Sequence, residues 1–227
     1  MRRNGQMTEV NSRASESRAR SRDADLTKSE ILEAALDEFA THGLAGARTE
    51  EIAARTRVSK RMLHYYFESK EGLYAAVLER AYEEIKLDFL QLDLAQLHPI
   101  EAIKQVAACI YHHYETHPQF VRLVITENLH KGKFLDELKE SKGIYMPSLE
   151  LLDVALRKGQ ERGIFRRYVD AIDLQTLIDS FCFFRVSNQH TFKTLYGREM
   201  MAADKQDHYE LMLQDLVVAY LTFGKIY

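Results

Sequence analysis

Residues 49–70, TEEIAARTRVSKRMLHYYFESK, decide the fold of this 227-residue chain. They divide into a short helix at about 49–56, a tight turn at Arg57–Val58 and a second short helix at about 59–67. Thr49 and Ser59 stand where each helix needs an N-cap, because a hydroxyl oxygen can accept one of the orphan amide hydrogens of the first turn. Ile52, Ala53, Val58 and Leu63 form the inward set, and Ala53 is small where the two helices approach. The second helix then turns Lys60, Arg61, His64 and Tyr65 outward. A short helix with cationic and aromatic tips, braced on a neighbour, is the geometry with which a helix-turn-helix enters the major groove.

Upstream, Thr27-Lys28-Ser29-Glu30 is a capping box before an apolar run. Ile31, Leu32, Ala35, Leu36 and Phe39 make the stripe of a first helix, and Gly43 is its stop. Downstream, a long helix starts at Ser69 and carries Tyr74, Leu78, Tyr82, Ile85, Phe89 and Leu92 on one face. Further helices are expected at about 99–116, 118–130, 147–162, 170–193 and 207–223, with a short segment at 134–140. Pro99, Pro118 and Pro147 suit first turns. The expectation is an all-α protein of about nine helices. A disordered Arg-rich arm occupies 1–24, a three-helix DNA-binding domain 25–72, and a helical ligand-binding and dimerisation domain 73–227.

Composition agrees. The chain is 46% hydrophobic with 10 glycines and 3 prolines, enough for a core and suited to helices. No apolar run approaches the roughly 20 residues of a membrane span, and the N-terminus lacks a signal peptide's apolar core. Cys109 and Cys182, apart in the pattern, fit a reducing cytoplasm. The net charge of −3 is unevenly spread. Basic residues outnumber acidic ones up to Lys70, and Arg2, Arg3, Arg13, Arg18, Arg20 and Arg22 crowd the start. That segment reads either as a solvated tail or as an arm reaching phosphates or a minor groove.

The run Val58-Ser59-Lys60-Arg61-Met62-Leu63-His64-Tyr65-Tyr66-Phe67-Glu68-Ser69-Lys70, preceded by Thr49-Glu50-Glu51-Ile52-Ala53, resembles the DNA-binding signature of TetR-family regulators. It departs from that signature at Arg57, where the family usually has Gly, and at His64, where it usually has Tyr. By chemistry, Lys60 and Arg61 are placed to reach guanine N7 and O6. His64 and Tyr65 follow one turn on, and Met62 borders the groove. The resemblance implies that Thr49, Tyr66 and Lys70 clamp phosphates around the capped start at Ser59. Arg48 and Arg55 are candidates for further phosphate contacts.

The resemblance also implies a helical domain enclosing a small-molecule pocket, a homodimer and a repressor released from a palindromic operator. Polar groups that interrupt apolar stripes are the pocket candidates: Tyr111, His113, Glu127, Asn128, Phe184, Arg185 and Asn188. They suit a small polar or aromatic effector. The apolar excess of 170–193 and 207–223 is expected to form a four-helix interface with a two-fold mate. His113 and His117 are an i, i+4 pair, but no Glu follows in zinc-protease form and no cysteine partner accompanies them, so no metal site is expected. No catalytic constellation and no cofactor motif is present. An activator, or a DNA-binding protein of the same fold without an effector, remains open.

Overall fold

The computed structural model describes residues 4–56 and 58–223, with side chains from Asp23 onward. Every regular element among them is helical, and none is long and apolar enough to cross a membrane. The chain divides into two compact units, one up to Val77 and one from Leu78.

The first unit holds α1 (Asn4–Gly46), α2 (Thr49–Thr56), α3 (Lys60–Phe67) and the start of α4 (Lys70–Leu90). Ile31, Ala35 and Phe39 of α1 are buried together with Ile52, Leu63, Phe67 and Tyr74, and Phe39 meets Tyr74 edge to face at 5.1 Å. Gly43 takes φ 65°, breaking α1 where the stop is expected. The start of α1 differs from expectation. The helix already runs from Asn4, so residues 4–24 are helical rather than irregular. The Thr27 hydroxyl donates back to the Asp23 carbonyl at 2.8 Å instead of capping. No Gly or Pro lies between Gly5 and Gly43, and the Ala, Arg, Glu and Leu content favours continuation. Residues 1–3 and the turn residue Arg57 lie outside the described residues.

In the second unit α5 (Pro99–Thr116) is the central helix, packed against α6 (Pro118–Leu129), α8 (Pro147–Glu161), α9 (Ala171–Ser187) and α11 (Gln206–Thr222). Ala102, Ile103, Val106, Ala107, Ile110, Tyr111 and Tyr114 bury it on several sides, as a helix apolar nearly all round must be. Pro99, Pro118 and Pro147 each sit in a first turn. Asp170 caps α9 by accepting from the Asp173 amide at 2.8 Å. After α8 the chain folds back so tightly that a Cβ on Gly159 would lie 1.9 Å from the Phe165 ring.

Three boundaries depart from the sequence reading. The segment expected at 134–140 is a full helix, α7 (Lys133–Lys142). The helix expected through 193 breaks at Asn188, and α10 (Gln189–Tyr196) follows. The Asn188 amide donates to the Phe184 carbonyl at 3.3 Å and to Ser187 Oγ at 2.9 Å, a local side-chain alternative to the helix ladder. The loop expected at 197–206 contains a 3-10 turn, Ala203–Lys205.

Candidate functional site

Ser59 starts α3 as its N-cap, its hydroxyl accepting from the Met62 amide at 3.2 Å. Leu63 and Phe67 point inward and are buried. The opposite face carries Lys60, Arg61, His64 and Tyr65, all exposed, with Tyr65 at 77%. Met62 borders this face, and Tyr66 is half-buried with its ring 5.5 Å from that of Tyr65. Thr49, Lys60, Leu63, His64, Ser69 and Lys70 line a groove of about 180 Å³ beside α3.

Several of these cations have partners within the unit. Lys60 Nζ meets Glu50 Oε1 of α2 at 2.5 Å, and that hydrogen bond holds the Glu50 carboxyl down at about 2. Lys70 Nζ donates to the carbonyls of Ala45 and Ala47 at 3.2 and 3.1 Å, tying the start of α4 to the end of α1. An ammonium has three donors, so one stays available to a phosphate. The Thr49 hydroxyl reaches Glu50 Oε2 at 3.4 Å. The Arg48 guanidinium is exposed, 3.9 Å from Glu51.

One residue of this unit escapes sequence reasoning. Glu38 is buried on α1, and its carboxylate accepts from the Arg48 amide at 3.1 Å and from Arg55 Nη2 at 3.3 Å. Arg55 is therefore a brace between α2 and α1. The only sequence signal is an acid one position before Phe39, on the inward stripe.

The α3–α4 junction is equally constrained. Glu68 takes φ 63° and ψ −46°, and the Ser69 amide donates to the Phe67 carbonyl at 2.6 Å, a tight γ-turn. Ser69 Oγ then accepts from the Gly72 amide at 2.9 Å. A Cβ on Gly72 would sit 2.3 Å from the Phe67 carbonyl oxygen, so only glycine passes this close.

The second unit separates the expected pocket residues. Tyr111 is buried with its hydroxyl on the Gln206 carbonyl at 3.0 Å. Arg185 is buried, bonded to Glu115 Oε1 at 2.5 Å and to the Met200 carbonyl at 2.6 Å. Its guanidinium lies 4.2 Å from the Tyr209 ring centroid and 4.9 Å from that of Tyr111. Glu127 is buried, and Oε1 accepts from the amides of Phe134 and Leu135 at 2.8 and 3.3 Å. It thus caps α7, while Oε2 has no partner among the described residues. His113 is buried, with Nδ1 2.8 Å from Asp88 Oδ2 and Nε2 without a partner among the described residues. Three expected residues are elsewhere. Asn128 is exposed and bonded to the Val124 carbonyl at 2.8 Å. Phe184 is exposed against Phe192, centroids 5.2 Å apart. Asn188 ends α9. A helix reading lacking neighbours cannot rank faces that are both partly apolar.

Instead Tyr114 and Gln175 of the second unit meet on Asp179, and the Glu127 and Asp179 charges both act on Tyr82. The Tyr114 hydroxyl donates to Asp179 Oδ1 at 3.4 Å and Gln175 Nε2 donates to Oδ2 at 2.9 Å. Burial raises the Asp179 carboxyl above its ordinary range. Burial, with the Glu127 and Asp179 charges, pushes the Tyr82 phenol to about 12. Burial also lowers the His113 imidazole, against the pull of Asp88, and favours its neutral form. Besides Glu127 Oε2, the acceptors Gln175 Oε1 and Glu115 Oε2 are buried without partners among the described residues. Phe120 closes the cluster, its ring 5.3 Å from Tyr82 and 6.0 Å from Tyr114.

Residues 31–77 match the family model described as "Bacterial regulatory proteins, tetR family". Residues 99–217 match "Tetracyclin repressor-like, C-terminal domain". The chain is 33% identical over 187 residues to the HTH-type transcriptional repressor NicS of Pseudomonas putida, covering 82% of this chain and 87% of NicS. It is 34% identical over 160 residues to the HTH-type transcriptional repressor SCO4008 of Streptomyces coelicolor, covering 69% and 77%. Among solved structures, the transcriptional regulator SCO4942 of Streptomyces coelicolor superimposes with a TM-score of 0.63 at 25% identity, covering 86% of this chain and 98% of that one.

Proposed function

Because this chain belongs to the TetR family of bacterial regulatory proteins, we propose that it is a cytoplasmic, homodimeric repressor. In this reading α3 reads a two-fold operator, and the polar core of the second unit takes the small molecule that releases it. The observation that carries the DNA-reading half is the outer face of α3: a capped helix with Arg61, His64 and Tyr65 exposed beside Lys60. Lys60 must exchange Glu50 for a base, so Glu50 acts as a placeholder that keeps the ammonium on this face between encounters. Lys70, Thr49, Tyr66 and Arg48 supply phosphate contacts around it.

Dimerisation is supported by apolar surface left exposed among the described residues. Ile172 of α9 and Leu211, Met212 and Leu216 of α11 are exposed, Leu211 at 60%. An isologous pairing of these helices buries them and sets two copies of α3 on two half-sites.

The effector reading rests on the buried acceptors Glu115 Oε2, Glu127 Oε2 and Gln175 Oε1. Each unpaired buried polar atom costs about 1–3 kcal/mol, which hydrogen-bond donors on a ligand recover. Tyr82, Tyr114 and Phe120 offer aromatic walls. The favoured effector is a small aromatic molecule rich in N–H or O–H donors. It shifts the dimer only through differential affinity for the DNA-bound and released states, with α4 as the element displaced.

Competition binding tests the reading. Lys60→Ala and Arg61→Ala are each expected to cost about 1–3 kcal/mol on the operator and far less on scrambled duplex. Equal losses on both duplexes contradict base reading. For the effector, a metabolite screen is expected to yield a compound that stabilises the protein thermally, releases the operator and loses its effect in Gln175→Leu.

A further inference from the structure

Near the end of α4, Asp88 faces two histidines one turn apart on α5. Its Oδ2 lies 2.8 Å from His113 Nδ1. The His113 and His117 rings stack with centroids 4.5 Å apart and planes 20° from parallel. One ligating atom from each of the three residues falls within 4.8 Å of the others. We propose that Asp88, His113 and His117 form a divalent transition-metal site of the two-histidine, one-carboxylate kind.

The donor set favours a borderline ion such as Zn²⁺, Co²⁺ or Ni²⁺, since Mg²⁺ and Ca²⁺ prefer oxygen ligands alone. Bonds of about 2.0–2.2 Å put tetrahedral ligand atoms about 3.4 Å apart. The 2.8 Å pair opens slightly to that separation, and the other ligand atoms, at most 4.8 Å apart, close by small side-chain movements around His117, the C-cap of α5.

The hydrogen bonds around His117 prepare it as a ligand. The Thr116 hydroxyl spends its hydrogen on the His112 carbonyl at 2.7 Å. Towards His117 Nδ1, 2.9 Å away, Thr116 Oγ1 is therefore an acceptor. The His113 carbonyl, 3.2 Å from the same nitrogen, accepts as well. Nδ1 thus carries the proton, and Nε2 keeps the lone pair that a metal needs. Metal-ligating histidines are oriented in this way, one ring N–H held by a carbonyl.

The site is also accessible. His113 is buried, but the Asp88 side chain is 43% exposed and His117 is half-buried, so an ion enters from solvent without unfolding the core. In the sequence the histidine pair has no metal-ligating Glu in zinc-protease form. The carboxylate comes from 25 residues upstream of His113.

Full-length protein, prepared without a polyhistidine tag, tests the site by competition with a chromogenic zinc chelator and by Co²⁺ absorption. The expected result is one Zn²⁺ per chain at micromolar affinity or tighter. Asp88→Asn and His117→Gln each weaken it at least tenfold and abolish the visible Co²⁺ bands, while His190→Gln, an exposed histidine on α10, leaves both intact. Both ligand variants lie at partly exposed positions, and thermal melts verify that they fold. No saturable binding, or wild-type affinity retained in Asp88→Asn and His117→Gln, overturns the proposal.

Discussion

Glu38→Ala should loosen the helix-turn-helix unit without altering any side chain on the outer face of α3. The Glu38 side chain is 2% exposed and receives two hydrogen bonds, from the Arg48 amide and from Arg55. A hydrogen bond to a charged group contributes about 1.5–3 kcal/mol. The Arg55 side chain is 49% exposed, so solvent screening brings its share to the lower end or below. The Arg48 amide keeps its full weight, because truncation strands a donor in the α1–α2 turn. The expected loss is about 2–4 kcal/mol, a Tm drop on the order of 10 °C or more if the first unit melts separately. Glu38→Gln keeps a carbonyl acceptor for the Arg48 amide and loses only the charge, so it should cost about half as much. Calorimetric melts of full-length protein measure both, and operator binding should weaken in parallel because α2 no longer braces α3. A Glu38→Ala variant within about 0.5 kcal/mol of wild type, or a Gln variant as damaged as Ala, refutes the assignment of Glu38 as the brace.

Three other outcomes are expected. Asp179 has its folded-state pKa raised by burial, so its contribution to stability is present at low pH and lost as pH rises through that value. Relative to wild type, Asp179→Asn should gain stability towards neutral pH and lose part of the pH dependence above about pH 4, read from thermal melts across pH; parallel curves contradict the buried-carboxylate description. Gly159→Ala forces a Cβ to 1.9 Å from the Phe165 ring, and urea titration should show a loss of about 1–3 kcal/mol, with Gly46→Ala, whose Cβ meets only His42 Cβ at 3.4 Å, as the comparison. Leu216→Glu, on the exposed face of α11, should shift the protein to monomer in light scattering and weaken operator binding; an unchanged mass removes α11 from the interface.

Local signals account for what was legible in the chain. Ser59, Asp170 and the three prolines mark helix starts because capping and fixed φ act within one turn. The α3 face was readable because eight residues of one short helix carry both its buried set and its exposed set. Boundaries failed where a signal had a rival. The box at Thr27 was overridden by helix-favouring residues on both sides, and Asn188 broke α9 through its own side-chain bonds.

What needed the tertiary structure is every pairing across elements. Periodicity shows that a polar residue interrupts a stripe, but not which helix faces it. Glu127 therefore read as a ligand group, although one of its oxygens caps α7, and Arg185 read as a pocket residue although it is paired with Glu115. Glu38 with Arg55, Asp179 with Tyr114 and Asp88 with the two histidines join residues 17 to 65 positions apart. The sequence by itself determined the helical class, the capped helix α3 and its cationic tips, all set by interactions within a few residues. Only packing decided which buried charges are neutralised and which polar atoms are left for a ligand or an ion, because burial and partner are properties of the assembled core and not of any one helix.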